Sequence, residues 1–236
     1  MITALLCLLL AGILAYQFLI KKLPPALYVL AYQKIGTPPT NSRLKNQWTS
    51  PTQLEKDFQF LTRHHFTALP PQDLGRPLPK PVLLAFIGGY QSFFTHVFPL
   101  LKKYRLKACV FLTPDTIGQY NRWQDPHQEA WQNILTAQQV EILRQSPLIS
   151  FGTTGLTQTG TLMLGQNELE ESIARFERFY QIPVRAAATA EKTNKNLNTP
   201  LPVLLTETGA NALNETRYLR LLKPTVWARF ILWRHR

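Results

Sequence analysis

The strongest constraint on the fold is the alternation of short apolar runs with amphipathic segments between residues 26 and 206. The apolar runs are typical of buried strands, and the segments between them carry apolar residues at helical spacing, such as Leu54, Phe58 and Leu61. Strands that alternate with helices predict a parallel α/β sheet or barrel. The predicted strands are 26–32, 66–69, 82–87, 107–113, 148–152, 184–190, 202–206 and 224–233, and the predicted helices are 50–64, 96–104, 136–145 and 167–180.

Functional groups in such folds lie at the carboxyl ends of the strands. Gln33 follows the first strand, and Ile87, Gly88, Gly89 and Tyr90 follow a later one. No Asp, Glu, His or Cys stands at these two ends, or in the segment FGTTGLTQTG (151–160) after a further strand. The five histidines show no spacing typical of metal ligands. The residues alone therefore predict an α/β domain whose pocket mouth is uncharged.

The first residues predict a membrane anchor. Ile2 to Ile20 carries no charge and is long enough as a helix to cross about 30 Å of hydrocarbon. Lys21 and Lys22 close the run, and no small-residue cleavage site is evident. We therefore expect a single-pass membrane protein with an anchor at residues 1–22 and one globular domain at residues 23–236. The positive-inside rule alone would place that domain in the cytoplasm.

Charge gives a weaker indication of partners. The chain has 26 Lys and Arg against 14 Asp and Glu, a net charge of +12, and no acid lies between residues 217 and 236. This excess can be a solvated basic rim, or it can attract anionic lipid or an acidic glycan. No nucleic-acid-binding motif accompanies it, so we expect no nucleic acid partner. The two cysteines, Cys7 and Cys109, do not indicate a redox or metal site.

Several segments, taken in order, are similar to a known family. They are LAYQKIG (30–36), AFIGGYQSFFTHVFPLLKKYRLKACVFLTPDTIG (85–118), ISFGTTGLTQTG (149–160) and VLLTETGAN (203–211). Together they resemble the polysaccharide deacetylases, the family with the NodB-homology domain (carbohydrate esterase family four). The resemblance runs from about residue 27 to residue 206. It implies a distorted (β/α) barrel of that type, here preceded by one N-terminal transmembrane helix.

The resemblance also shows which family residues are replaced. The catalytic-base Asp of the family falls on Ile87 and its metal-binding Asp on Gly88. Its two metal-binding histidines fall on Thr154 and Gln158. The residues left for a possible groove are Gln33, at the position of a family His, Tyr90, and Arg185, which matches the Arg of the third motif.

These substitutions predict the loss of the family's chemistry. Glycine has no ligand atom, the oxygens of Thr and Gln are weak ligands for zinc, and isoleucine cannot accept a proton. We therefore expect no metal cofactor and a pseudoenzyme that binds glycan or has a scaffolding role in cell-envelope or exopolysaccharide metabolism. Its expected partners are the membrane and a glycan or a membrane-bound polysaccharide enzyme, and the resemblance favours the extracytoplasmic side. The alternative is an active carbohydrate deacetylase or esterase with an unrecognised site.

Overall fold

The protein was examined as a computed structural model, which describes residues 28–73, 76, 78–154, 166–189, 204–206, 209–211 and 218–222. The chain is a mixed α/β structure built on a largely parallel sheet. Its strands are β1 (Tyr28–Tyr32), β2 (Lys34–Ile35), β3 (Trp48–Thr49), β4 (Thr67–Ala68), β5 (Pro81–Ile87), β6 (Ala108–Leu112), β7 (Ile149–Thr153), β8 (Val184–Thr189), β9 (Leu204–Thr206), β10 (Gly209–Asn211) and β11 (Tyr218–Leu222). Its helices are α1 (Pro51–Arg63), α2 (Phe98–Tyr104), α3 (Ala137–Arg144) and α4 (Gln166–Tyr180).

The main sheet closes on itself. Its strand order is β1-β11-β10-β9-β8-β7-β6-β5-β4, and β1 pairs in addition with β5, so that a ring of strands forms. Neighbouring strands run parallel except at β10, which is antiparallel to both β9 and β11. The two-residue strand β4 lies outside the ring and pairs with the start of β5. A small separate sheet joins β2 to β3.

The core lies inside this ring and between the ring and its helices. All of β6 and the residues 81–86 of β5 are buried, as parallel strands covered on both faces require. Helix α1 buries Leu54, Phe58 and Leu61, the apolar stripe that the sequence predicts. Ser50 caps this helix by accepting a hydrogen bond from the backbone N–H of Gln53.

Most predicted elements are confirmed, with small shifts at their ends. The capping box at Thr136 and Gln139 forms as its spacing predicts and begins α3. The predicted helix 96–104 is shorter as an α-helix, because a π-helical turn at Phe93–Val97 precedes it. Strands β10 and β11 were not predicted, and the predicted strand 224–233 lies outside the described residues.

The predicted membrane helix also lies outside the described residues, since the first 27 positions are not among them. Within the part of the chain that the structure describes, no helix has the length and apolarity needed to cross a bilayer.

The connection between β6 and α3, residues 113–136, is long and contains a short two-stranded ribbon. Tyr120 lies opposite Asn133 in an antiparallel bridge. The backbone N–H of Asn121 bonds to Gln132 at 3.1 Å, and that of Ile134 bonds to Gln119 at 2.9 Å. Ile134 in turn lies opposite Tyr90 in a second bridge, which attaches the ribbon to the segment after β5.

The packing of α1 can be tested by truncating one of its core residues. We expect Leu54→Ala to lower the free energy of unfolding by about 2–5 kcal/mol, because the fully buried side chain leaves a cavity. Urea unfolding should show a lower midpoint with an unchanged slope. Lys56→Ala on the exposed face of the same helix is the control and should leave the midpoint unchanged within error.

Candidate functional site

Parallel strands bring the positions singled out in the sequence to one end of the barrel. Ile87 of β5 lies opposite Phe111 of β6, and Leu112 of β6 lies opposite Thr153 of β7. Gly88 and Thr154, the next residues after β5 and β7, therefore lie on either side of the carboxyl end of β6. Both bond to its backbone: the N–H of Gly88 to Phe111 and that of Thr154 to Leu112, at 3.1 and 3.0 Å.

The backbone at Gly88 and Gly89 accepts no side chain without rearrangement. Both residues have positive φ, +100° and +62°, where side-chain-bearing residues are strained. A Cβ built on Gly88 would lie 2.7 Å from Cε2 of Tyr90, and one on Gly89 would lie 2.5 Å from Cδ2 of Leu112. The ring of Tyr90 thus occupies the space that a side chain at position 88 would need.

Tyr90 is held in this place by its neighbours. Its side chain is buried, and its ring centroid lies 6.3 Å from that of Trp123 and 5.6 Å from Nζ of Lys34. Burial raises the pKa of the Tyr90 hydroxyl well above its usual value. The Tyr90 hydroxyl is therefore neutral at pH 7.

A buried ion pair lies beside Tyr90. Lys34, only 1% exposed and the first residue of β2, bonds to Glu129 in the β6–α3 connection. Glu129 also accepts a hydrogen bond from the Ser42 hydroxyl and one of 2.7 Å from Nε1 of Trp48. The Lys34 ammonium lies 5.7 Å from the Trp48 ring centroid, so aromatic faces flank the cation on two sides.

The carboxylate of Glu129 is kept ionised by these donors. Burial alone would raise the pKa of Glu129, but the hydrogen bonds from Lys34, Ser42 and Trp48 outweigh burial and lower it. Sequence reasoning did not find this centre. Lys34 and Glu129 are 95 residues apart, and no local pattern links a lysine after one strand to a glutamate in a distant connection.

The Thr154 hydroxyl is hydrogen-bonded to residues at the end of the neighbouring strand β6. Its hydroxyl lies 2.6 Å from that of Thr113, at the end of β6, and 3.3 Å from the carbonyl of Leu112. Thr153 makes a similar buried contact with the Ser172 hydroxyl of α4, at 2.5 Å. These contacts join three elements around the end of β7. The buried hydroxyl of Thr154 therefore satisfies backbone and side-chain partners at the strand ends.

Two further predicted positions lie at the same barrel end. Gln33 is exposed directly after β1, and Ile87 is half-buried as the last residue of β5; Tyr32 and Phe86, which precede them, lie opposite each other.

Arg185 lies within β8, where the structure describes the backbone only, and Gln158 lies outside the described residues. The structure thus brings Gln33, Ile87, Gly88, Tyr90 and Thr154 to one barrel end.

Comparison with solved structures identifies the architecture. IcaB from Ammonifex degensii superposes with a TM-score of 0.68 at 20% identity, over 89% of this chain and 97% of that one. The chain has the polysaccharide deacetylase fold. The Streptococcus pyogenes deacetylase PplD, in complex with acetate, superposes with a TM-score of 0.66 at 18% sequence identity, over 89% of this chain and 98% of that one. A de-N-acetylase from Aggregatibacter actinomycetemcomitans superposes with a TM-score of 0.62 at 16% sequence identity, over 85% of this chain and 96% of that one.

Sequence comparisons add nothing to this finding. No protein-family model matches the chain, and no curated protein matches it either. The similarity is therefore carried by the three-dimensional arrangement, at identities that show a shared fold and leave the activity open.

The residues at this barrel end do not fit the divalent metal that the fold family implies. The place of one carboxylate is a glycine whose side-chain space holds the Tyr90 ring, and the Thr154 hydroxyl already has partners. Among the described residues, no group of three or more His, Cys, Asp or Glu side chains is arranged to hold a metal ion. The buried carboxylate beside Tyr90, that of Glu129, is paired with Lys34.

The ion pair can be tested by removing one partner. We expect Glu129→Gln to lower the free energy of unfolding by about 3–5 kcal/mol, because it leaves the Lys34 ammonium buried without a counter-charge. In the double variant Lys34→Met/Glu129→Gln most of this loss should be recovered. Chemical denaturation at pH 7 measures both, and equal destabilisation of the two variants would contradict a coupled pair.

The folding stability of the wild-type protein should depend on pH through Glu129. The pKa of Glu129 is lower in the folded protein than in the unfolded chain, where it is about 4.3. The ionised carboxylate therefore contributes its full stabilisation of the fold above the unfolded-state pKa. This contribution is lost as the pH falls through the folded-state pKa. The difference in stability between wild type and Glu129→Gln should accordingly shrink on acidification.

Proposed function

We propose that this protein is a non-catalytic, glycan-binding form of the polysaccharide deacetylase fold that acts in cell-envelope or exopolysaccharide metabolism. The observation that carries the proposal is the position of the Tyr90 ring, 2.7 Å from where a side chain at Gly88 would begin. A carboxylate cannot be presented there while the ring remains. The family's chemistry would need a metal-held water and a base at this point, and Ile87 offers no proton acceptor.

The architecture supports a role connected with glycans. Proteins named as deacetylases of polysaccharides or as de-N-acetylases share this fold over most of both chains. A barrel that retains the fold while its strand ends are filled by uncharged groups can still present loops at that end to a sugar chain. Binding without turnover is the function that we infer from this combination.

We also propose that residues 1–22 anchor the protein to a membrane, with the barrel on the extracytoplasmic side. The support for anchoring is the uncharged run Ile2 to Ile20. The support for sidedness is the fold it shares with polysaccharide deacetylases and the proposed glycan ligand, since cell-envelope polysaccharides lie outside the cytoplasm. The pair Lys21-Lys22 acts against this orientation through the positive-inside rule.

Catalysis is tested by acetate release from an N-acetylglucosamine pentamer and from an O-acetylated oligosaccharide, with and without added zinc. We expect the full-length protein to release no acetate above the blank. The variant Ile87→Asp/Gly88→Asp/Thr154→His/Gln158→His should also bind no zinc, because the Tyr90 ring excludes the new carboxylate at position 88. Adding Tyr90→Ala to that variant should allow zinc binding, measured by calorimetry.

Two results would count against this account. Metal-dependent acetate release by the wild-type protein would replace the proposal with the alternative, an active deacetylase or esterase. Zinc binding by the fourfold variant with Tyr90 intact would show that the ring moves aside, and the steric argument would fail.

Anchoring is tested by fractionation of cells that produce the full-length chain. We expect the protein to stay with the membranes after a carbonate wash, because a spanning apolar helix is not extracted by high pH. A variant with Leu9→Lys and Leu10→Lys places two charges in the run and should appear in the wash. Release of the unaltered protein would rule out a spanning anchor. Protease accessibility in spheroplasts then reports the side.

A further inference from the structure

A bound glycan needs a surface other than the end of β5. The Tyr90 ring fills the space beside Gly88, and the neighbouring Lys34–Glu129 pair is buried. The outer face of the ribbon in the β6–α3 connection lies next to this closed end. Two of the four large hydrophobic residues that are exposed in the described chain, Tyr120 and Trp131, belong to it.

The register of the ribbon places these two rings on one face. Tyr120 lies directly opposite Asn133. Trp131, two residues before Asn133, is exposed as Asn133 is, while Gln132 between them is less exposed, so the two rings are presented on the outer side of the ribbon. Tyr120 is 48% and Trp131 42% exposed, and Asn133 is exposed between them.

The opposite face of the same ribbon is turned into the protein. Asn121 and Ile134 are buried, and the Asn121 side-chain oxygen accepts a 2.5 Å hydrogen bond from the backbone N–H of Gln132. The division into a buried and an exposed face is that of a half-buried strand pair. The Tyr120 ring is therefore exposed because the pairing of Tyr120 with Asn133 turns both side chains away from the protein.

The ribbon is held rigidly, which favours it as a binding surface. The Trp131 indole donates a 2.7 Å hydrogen bond to the carbonyl of Gln124, which fixes the ring orientation. The backbone N–H of Gln91 bonds to Asn133, and the N–H of Leu135 bonds to Gly89, both at 2.9 Å. The buried Glu129 ties the same connection to Lys34 and Trp48. Groups fixed before binding lose little conformational entropy on binding.

The chemistry of this face matches an uncharged sugar chain. Flat aromatic rings can cover the apolar C–H face of a pyranose, and amide side chains both donate to and accept from hydroxyl groups. Asn133, directly opposite Tyr120, supplies an exposed amide on the same face. Charge is nearly balanced here, with Arg122 against Asp125 and Glu129 paired with Lys34, so anionic lipid is not specifically attracted.

We propose that the outer face of this ribbon, with Tyr120 and Trp131 as its stacking rings and Asn133 between them, is the glycan-binding surface. This inference rests on the proposed glycan-binding function and places the sugar beside the closed end of β5 rather than within it. A neutral oligosaccharide is the class of ligand that the rings and amides would take.

The test is binding of an N-acetylglucosamine hexamer and of cellohexaose to the full-length protein, measured by calorimetry in a polyoxyethylene detergent that carries no sugar. Each of Trp131→Ala and Tyr120→Ala should weaken binding roughly tenfold, which corresponds to about 1.4 kcal/mol. Trp131→Phe keeps a ring and should lose less. Phe179→Ala, which removes a 68% exposed ring from α4, is the matched control and should bind like the wild type.

The outcomes separate the two proposals. Wild-type binding that is unchanged in both Trp131→Ala and Tyr120→Ala would overturn the ribbon surface and leave the glycan-binding function standing. No binding of either oligosaccharide by the wild type would overturn both. A loss in Phe179→Ala equal to that in Trp131→Ala would show that the effect is not specific to the ribbon. Unchanged urea midpoints for the variants would show that the exposed rings were removed without unfolding.

Discussion

The barrel end is organised by the buried pair between Lys34 and Glu129. Burying an ammonium or a carboxylate alone is strongly unfavourable, so each group requires the other in this position. Their contact joins β2 to the β6–α3 connection, and Ser42 and Trp48 bring the segment that follows β2 to the same carboxylate. The Lys34 cation also lies near the Tyr90 ring. Displacing Glu129 would therefore disturb the ribbon, the ring and the loop that leads to β3 together.

Much of the architecture could be predicted from local sequence patterns. Helix α1 follows from the Ser50 cap and the spacing of its apolar residues, and α3 follows from the capping box at Thr136. Strands β5 and β6 follow from continuous apolar runs, because strands buried on both faces need no polar alternation. Strands β10 and β11 were missed, because three to five residues with mixed polarity give no periodic signal.

The candidate site was predictable in its positions and not in its contacts. The order of strands places Gly88 and Thr154 at one barrel end, as the sequence indicates. The ring that fills the space beside Gly88 depends on a positive φ and on packing against Trp123, and neither is encoded in a local pattern. The partners of Lys34 are equally hidden, since Trp48, Tyr90 and Glu129 lie between 14 and 95 positions away in the sequence and meet only through the closed fold.

Closure of the strand ring also limits which groups can mediate association between copies of the chain. A strand at the edge of an open sheet offers unpaired N–H and C=O groups to any extended chain that passes. Here the ring from β1 through β11 back to β5 uses those groups internally, and among the described strands of the main sheet the exception is the two-residue β4. Backbone-mediated polymerisation is thus disfavoured by topology alone. Copies of this chain would have to associate through side chains, which selection can tune one residue at a time.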